Sequence, residues 1–393
     1  MLKGKAASIK FSLRFFLYRL NAVFPKKNTL WLASSWYGER YSDNSRYLFE
    51  YVLKHELNIR IFWITRNLDL YQQLRYAKTP VVYAKSLRAL WLILRAKVYV
   101  FSSSLQDVSS FGVSANTFSL QLWHGSPLKK ICCDDPIEWK HLNSAAYKHH
   151  LSLHPFDAER YNAVIAPSSY FQNIFQSAFR LQSQHFPILG YPRIDRLLLG
   201  VRPYSSTAPM LLYAPTFRGS EGVMRALSDK AMPQQAQLET LDKLFYDYHA
   251  HMEIQYHPVD AKSRLVAGFN CIHSIEKYDD FYEYLQKIDI LITDYSGLMF
   301  DFLLTKKPVI CVISDIETYV SQDRELYRHP SEVPGLYVCK TWDEVHETLE
   351  KIFKEGPSPE KILTDEQLSE IYGFQDCLSS KRIVEYVVAD SKK

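Results

Sequence analysis

The chain has 393 residues, which is too long for a single ordinary hydrophobic core and therefore predicts two domains. Apolar residues make up 47% and charged residues 23%, as in globular proteins, and a net charge of only +4 argues against a nucleic-acid partner. The six cysteines form no C-x-x-C pair and show no zinc spacing, so we expect free thiols in a reducing compartment.

Residues 1–27 form the first predicted element, a basic amphipathic helix. The apolar side chains on one face of this helix are Ile9, Leu13, Phe16, Leu17, Leu20 and Phe24. Arg14 and Arg19 interrupt the apolar run, so the segment is neither a transmembrane span nor a convincing signal peptide. We expect the helix to lie on an anionic membrane surface; the alternative is a helix packed on its own domain.

Residues 28–200 carry short apolar runs that are rich in β-branched or aromatic residues. These predicted strands are Thr29–Ala33, Ile59–Ile64, Pro80–Tyr83, Lys97–Phe101, Thr117–Trp123, Ala163–Ala166 and Phe186–Leu189. Helical patterns separate most of them. Strands that alternate with helices predict a parallel, doubly wound sheet.

Residues 201–209 have the composition of a linker, and the same alternation resumes in residues 210–393. The second set of predicted strands is Met210–Ala214, Met252–Tyr256, Asn270–His273, Ile288–Thr293, Pro308–Val312 and Leu336–Cys339. We therefore predict an α/β protein with two doubly wound, Rossmann-like domains. Neither a Walker sequence nor a G-x-G-x-x-G motif occurs, which argues against an ATPase and a nicotinamide enzyme.

Two histidines stand at the ends of predicted strands, one in each half. His124 follows the strand Thr117–Trp123, and His257 follows the strand Met252–Tyr256 and precedes a proline. Residues at the carboxyl ends of strands in an open α/β sheet line the ligand crevice. These histidines are therefore candidate functional residues, although a lone histidine is more often structural.

A third strand end predicts an anion site. The strand Ile288–Thr293 runs into Asp294, Tyr295, Ser296 and Gly297, and a helix follows at once. Unpaired backbone N–H groups at the start of a helix favour phosphate. The alternative is an ordinary strand–turn–helix junction capped by Asp294 or Ser296.

Four segments together resemble the CDP-glycerol glycerophosphotransferase family, which includes the teichoic acid primases and polymerases. They are Trp123–Lys129, Tyr213–Arg218, His257–Pro258 and Thr293–Phe302, and they occur in the order of the family's motifs. Residues 35–44, with Gly38 and Asn44, also resemble the family's N-terminal motif. The chain departs from the family pattern at Ser126, Phe217 and Gly297, where Thr, Trp and a second Ser are more common.

The resemblance implies a GT-B-like fold, in which the two domains face a cleft, and an enzyme. The implied reaction is transfer of glycerol phosphate from CDP-glycerol to a hydroxyl of a lipid-linked or polymeric glycerol-phosphate acceptor, with release of CMP. The product would be a teichoic acid or a capsule-type polymer. The implied location is peripheral, at the cytoplasmic face of the cell membrane.

The resemblance and the strand ends together suggest a role for each candidate residue. We expect His124 to act as the general base and His257 to bind the donor pyrophosphate. The expected donor-binding residues are Thr216, Arg218, Asp294, Tyr295, Ser296, Gly297 and Asp301. The expected acceptor-side residues are Gly125, Ser126, Lys129, Lys130, Gly38 and Asn44. An alternative for Asp301 is a solvated helix carboxylate.

Neither a metal nor a cofactor is expected. His149, His150 and His154 lie in a predicted polar loop, and neither cysteines nor carboxylates complete a zinc site there. The remaining alternatives for the function are a CDP-ribitol ribitolphosphotransferase, a GT-B glycosyltransferase that uses a nucleotide-sugar, and a non-catalytic polymer-binding scaffold.

Overall fold

The computed structural model describes residues 2–55, 57–216, 218–220, 223–225, 231–255, 268–275 and 280–390. The strands are β1 Lys27–Ala33, β2 Arg60–Thr65, β3 Val81–Tyr83, β4 Ala96–Phe101, β5 Phe118–Gln121, β6 Ala163–Val164, β7 Met210–Ala214, β8 Arg218–Ser220, β9 Val223–Arg225, β10 His251–Ile254, β11 Ile272–Ser274, β12 Ile290–Thr293, β13 Val309–Val312 and β14 Leu336–Cys339.

The α-helices of the same residues alternate with the strands. They are α1 Leu2–Val23, α2 Asp43–Lys54, α3 Leu68–Tyr76, α4 Leu87–Arg95, α5 Pro136–Leu142, α6 Ala145–Leu153, α7 Ser169–Phe179, α8 Pro192–Leu198, α9 Gln235–Asp247, α10 Phe281–Leu285, α11 Leu298–Leu303, α12 Ile316–Gln322, α13 Trp342–Glu355, α14 Asp365–Ile371 and α15 Ser379–Asp390.

The first sheet has the strand order β3-β2-β1-β4-β5-β6, and all of its pairs are parallel. The order reverses between β1 and β4, so the sheet has a topological switch point there, where ligands of open α/β sheets bind. Leu30–Ala33 and Val98–Phe101 are buried, as expected for parallel strands covered on both faces.

The second sheet repeats this plan with the order β11-β10-β7-β12-β13-β14, again with parallel pairs. Its switch point lies between β7 and β12. Strands β8 and β9 form a separate antiparallel ribbon. The predicted α/β class with two doubly wound sheets is confirmed.

The chain divides into two compact units. The first unit contains residues 1–124, 140–195 and 376–393, and the second contains residues 125–139 and 196–375. Helix α15 therefore belongs to the first unit, where Ser379 and Ser380 donate backbone N–H groups to Asp195. The predicted boundaries (1–27, 28–200, 201–209 and 210–393) remain predictions.

Two local predictions differ from the structure. Phe186–Leu189 is no strand; Ile188 forms a single bridge with Ala166, and Pro187 has no N–H group to extend the ladder. The predicted polar loop that follows Ser126 contains helices α5 and α6, whose short apolar faces gave too weak a periodic signal.

The helix predicted near the start of the chain is present as α1, and one of its sides packs on the rest of the first unit. The Phe11 ring lies 4.9 Å from the ring of His154, and Arg14 forms a 2.5 Å ion pair with Asp157. Of the predicted apolar face, Leu13 and Phe16 are 56% and 60% exposed. No helix in the described part of the chain is long and apolar enough to cross a membrane.

Candidate functional site

His124 lies at the carboxyl end of β5 in the first unit, and its ring is exposed. Its Nδ1 atom is 3.0 Å from the carbonyl oxygen of Ser102. Because a carbonyl only accepts, Nδ1 carries the proton, and Nε2 of the neutral ring is free to take one. This tautomer suits a general base.

Aromatic side chains fix the His124 ring from the sides. The ring centroids of Trp123 and Trp36 lie 4.5 Å and 5.6 Å from that of His124. Trp36 follows β1 and Ser102 follows β4, so the switch point of the first sheet supplies both residues. The His124 side chain thus stands where the topology predicts a ligand crevice.

The Asn44 side chain and the Gly38 backbone hold the segments that carry Trp123 and Trp36. The buried Asn44 amide donates to the carbonyl groups of Leu122 and Trp123, at 3.1 Å and 3.0 Å, and so holds the chain just before His124. Gly38 has a φ of +80° and its carbonyl accepts from Thr65 Oγ1. Both residues shape the loops around His124.

The other four acceptor-side candidates, Gly125, Ser126, Lys129 and Lys130, belong to the second unit. Lys130 forms a 2.5 Å ion pair with Glu325, and its backbone N–H donates to the Glu325 carbonyl. Lys129 forms an antiparallel bridge with Leu326. The segment after His124 is therefore anchored to the same unit as the donor-binding candidates.

Thr216 and Asp294 meet at the switch point of the second sheet. Thr216 follows β7, Asp294 follows β12, and Asp294 Oδ1 accepts the Thr216 N–H at 2.8 Å. Both residues are buried. The predicted donor segments are thus joined at the edge where the topology places a ligand.

Tyr295 and Ser296 differ in what they offer a ligand. The Tyr295 side chain is fully buried, donates to Asp315 at 2.9 Å and stacks on Tyr319, so its backbone is the part that faces the turn. Ser296 is half-buried, and its Oγ accepts the Leu298 N–H at 3.3 Å. A hydroxyl at this place can also donate to an anion.

Gly297 makes room for the backbone of Ser126. A β-carbon at position 297 would lie 2.2 Å from the Ser126 carbonyl oxygen. Gly297 has an ordinary φ of −61°, so close approach rather than backbone conformation requires glycine here. The segment that begins at Gly125 therefore lies directly on the turn at the start of α11.

Asp301 is 1% exposed and holds two tyrosine hydroxyls. Tyr282 donates to its Oδ2 at 2.5 Å, and Tyr372 donates to its Oδ1. The Tyr372 hydroxyl also lies 2.8 Å from Ser126 Oγ. The carboxylate is not solvated, and it ties the Ser126 segment to α11; its direct contact with a donor hydroxyl remains a prediction.

Two donor-binding candidates, His257 and the side chain of Arg218, lie outside the residues that the structure describes. His257 is outside the described residues, although the preceding strand β10 pairs in parallel with β7 and so ends at the same sheet edge as Thr216. Arg218 begins β8, but its side chain is outside the described part. Within the described residues, no group of three or more His, Cys, Asp and Glu side chains is arranged to hold a metal ion.

Residues 16–389 match the model of the CDP-glycerol:poly(glycerophosphate) glycerophosphotransferase family. The chain belongs to this family. The resemblance drawn from the four motifs is thus confirmed, and with it the predicted enzyme class, a glycerophosphotransferase.

Similar proteins are named for teichoic acid synthesis. The chain is 27% identical to the teichoic acid glycerol-phosphate transferase of Staphylococcus aureus, over 81% of this chain and 82% of the relative. It is 28% identical to the teichoic acid poly(glycerol phosphate) polymerase of Bacillus spizizenii, over 94% of both chains. The solved structure of the wall teichoic acid polymerase TagF superposes with a TM-score of 0.74 at 23% identity, over 100% of this chain and 96% of that one, which supports the fold.

Several residues of the site gave no recognisable signal in the sequence. Tyr282 and Tyr372 lie away from the ends of predicted strands and reach Asp301 through tertiary packing. Trp36 did carry a signal, since it stands two residues before Gly38 in the N-terminal motif of residues 35–44, and sequence reasoning missed it.

Proposed function

We propose that this protein transfers glycerol phosphate from CDP-glycerol to a hydroxyl of a glycerol-phosphate acceptor, carried on a lipid or on a growing polymer, in the synthesis of a teichoic acid or capsule-type polymer. Family membership supports the donor and the reaction class. The single observation that carries the mechanism is the 3.0 Å contact between His124 Nδ1 and the Ser102 carbonyl oxygen, which assigns the proton to Nδ1 and leaves Nε2 to act as a base.

In this mechanism the acceptor hydroxyl oxygen attacks the β-phosphorus of CDP-glycerol. A new P–O bond forms, the bond from the β-phosphorus to the bridging oxygen breaks, and that oxygen keeps the electron pair and leaves as part of the CMP phosphate. His124 Nε2 takes the hydroxyl proton. The leaving phosphate is weakly basic, so the reaction needs in-line positioning and charge stabilisation more than a strong general acid.

The donor would bind at the switch point of the second sheet. The loops after β7 and β12 present Thr216, Ser296 and the backbone of residues 295–297 at one edge, and the parallel neighbour β10 leads to the same edge. Arg218 and His257 would add a cation and a hydrogen-bond donor to the pyrophosphate. Asp301 would act through Tyr372 and Ser126, by holding the segment after His124.

Helix α1 supports a peripheral location at the cytoplasmic face of the membrane. Leu13, Phe16 and Val23 are 56%, 60% and 78% exposed, and the exposed Lys10 and Arg19 flank them. An exposed apolar strip with basic neighbours fits the headgroup region of an anionic bilayer. This is also where a lipid-linked acceptor would be found.

The released nucleotide tests this function. The purified protein is incubated with CDP-glycerol and a glycerol-phosphate acceptor, and the products are separated by anion-exchange chromatography. We expect CMP, and a fall in its rate of release by roughly two orders of magnitude or more in His124→Ala, as for the loss of a general base. His55→Ala, which alters an exposed histidine at the end of α2, is the matched control.

Three results would contradict the proposal. Release of a nucleoside diphosphate from a nucleotide-sugar, with CDP-glycerol left intact, would indicate a glycosyltransferase. Turnover of CDP-ribitol but not of CDP-glycerol would show that the donor is CDP-ribitol. A near-native rate in His124→Ala would remove the base role.

A further inference from the structure

Asp107 is a fully buried carboxylate in the loop after β4. Its Oδ1 accepts the Tyr37 N–H at 2.6 Å, and its Oδ2 accepts the N–H groups of Ser102 and Ser103 at 3.2 Å and 3.0 Å. Burial raises the pKa of Asp107, while the backbone N–H groups around it act in the opposite direction. One side chain thus joins the loops that follow β1 and β4, on the two sides of the switch point.

Each of these two loops contacts His124. Ser102, whose N–H is bound by Asp107, offers its carbonyl to His124 Nδ1. Trp36, which precedes the residue bound by Asp107 on the other side, lies beside the His124 ring. Asp107 therefore binds Ser102 itself, whose carbonyl sets the proton position, and Tyr37, which follows the Trp36 ring beside the imidazole.

The loop after β1 needs such support. Trp36, Tyr37 and Gly38 have φ angles of +47°, +57° and +80°, so two bulky residues and a glycine adopt left-handed conformations in a row. Conformations of this kind persist where the surroundings hold them, and they cluster at functional sites. The Asp107 bond to the Tyr37 N–H is a direct restraint on this turn.

We propose that Asp107 is a positioning residue for the transfer reaction, which fixes the Ser102 peptide and the Trp36–Gly38 turn so that His124 keeps its proton on Nδ1 and presents Nε2 to the acceptor. The inference rests on the proposed role of His124. The carboxylate suits this task because both of its oxygens only accept, and three backbone N–H groups converge on them. An asparagine in its place directs an NH₂ group at one of the two loops.

The chain offers a matched control in the same loop. Glu159 accepts the Ser104 hydroxyl at 2.6 Å and the Leu105 N–H at 3.1 Å. It therefore holds the loop after β4 through residues that follow the Ser102 peptide. Glu159→Gln should loosen the loop without reorienting the Ser102 carbonyl.

The test combines imidazole ¹⁵N NMR with steady-state kinetics on the full-length protein. The His124 signal is assigned by its loss in His124→Ala, and its tautomer is compared in the wild type, Asp107→Asn and Glu159→Gln at one pH. In Asp107→Asn we expect a shift of the tautomer towards Nε2–H, and a kcat lowered roughly 10- to 100-fold at a KM for CDP-glycerol within about twofold. In Glu159→Gln we expect the wild-type tautomer and a kcat within about threefold.

The outcomes separate this inference from the proposed function. An unchanged His124 tautomer and kcat in Asp107→Asn, together with CMP release by the wild type, would overturn the positioning role alone. Failure of the wild type to release CMP would overturn the proposed function and this role with it. If Asp107→Asn does not fold, Asp107→Glu, which keeps the charge and displaces the acceptor oxygens by one methylene, must show the same direction of tautomer shift.

Discussion

The Ser126 carbonyl oxygen occupies the space beside the α-carbon of Gly297. A side chain at position 297 has to push away the backbone of Ser126, which follows His124 by two residues. Packing at a single atom therefore holds the turn before α11 against the segment that begins at Gly125.

We predict that Gly297→Ser lowers the free energy of unfolding by about 1–3 kcal/mol, as overpacking does in a filled core. Turnover should fall as well, since the Ser126 segment moves. Denaturant titration and the CMP assay measure the two effects. Gly356→Ala calibrates the stability result, because its φ of +81° is strained but no atom lies near the added β-carbon. A Gly297→Ser protein with wild-type stability would contradict the close approach.

The residues at strand ends were predictable because one local pattern specifies them. An apolar run followed by small or polar residues placed His124, Thr216 and Asp294 at sheet edges, and the structure has them there. The burial of Asp301 was harder to predict, because its partner Tyr372 is 71 residues away and no local sequence pattern indicates that contact. Asp107 was missed for the same reason, since its partner Tyr37 lies 70 residues earlier.

Helix α1 packs on the first unit along one side and exposes apolar residues on another, and its role at a membrane remains a prediction. Phe11, Arg14 and Tyr18 pack on the first unit, and Arg14 also donates to the Ser110 carbonyl. Leu13 and Phe16 point away from those contacts and are exposed. Periodicity predicted the helix, but the mixed apolar and basic surface did not reveal which side would pack.

We predict that the double substitution Leu13→Glu and Phe16→Glu abolishes cosedimentation with anionic liposomes and leaves the thermal midpoint unchanged, because the altered side chains are exposed. Tyr76→Glu, at a residue that is 92% exposed on α3, is the control for added charge on an apolar surface residue. High salt should weaken binding of the unaltered protein through screening. Wild-type liposome binding by the double variant would contradict the membrane role of this face.

At the scale of the whole molecule, each unit repeats one strand order around one switch point. The alternation of apolar runs and helical patterns was enough to predict two doubly wound sheets. The assignment of α15 to the first unit was not predictable, because it depends on Asp195 binding the N–H groups of Ser379 and Ser380, which lie 184 and 185 residues later in the chain.

The second unit should stabilise the negative charge of the CDP-glycerol pyrophosphate by itself, so that donor binding needs no divalent ion. We predict that titration calorimetry gives the same dissociation constant for CDP-glycerol, within about twofold, in magnesium and in EDTA. The physical reason is that Arg218, His257 and backbone N–H groups at the sheet edge would contact the pyrophosphate. Binding that requires a divalent ion would show that the phosphate charge is neutralised differently.

The fate of the β-phosphorus of CDP-glycerol distinguishes glycerophosphate transfer from every other use of this donor. The protein is incubated with CDP-glycerol labelled with ³²P at the β position and with a glycerol-phosphate acceptor, and the label is followed by chromatography and mass spectrometry. Glycerophosphate transfer predicts that the label and the glycerol appear together on the acceptor and that CMP is unlabelled. Label that remains with the nucleotide while the acceptor gains glycerol or another group would contradict it.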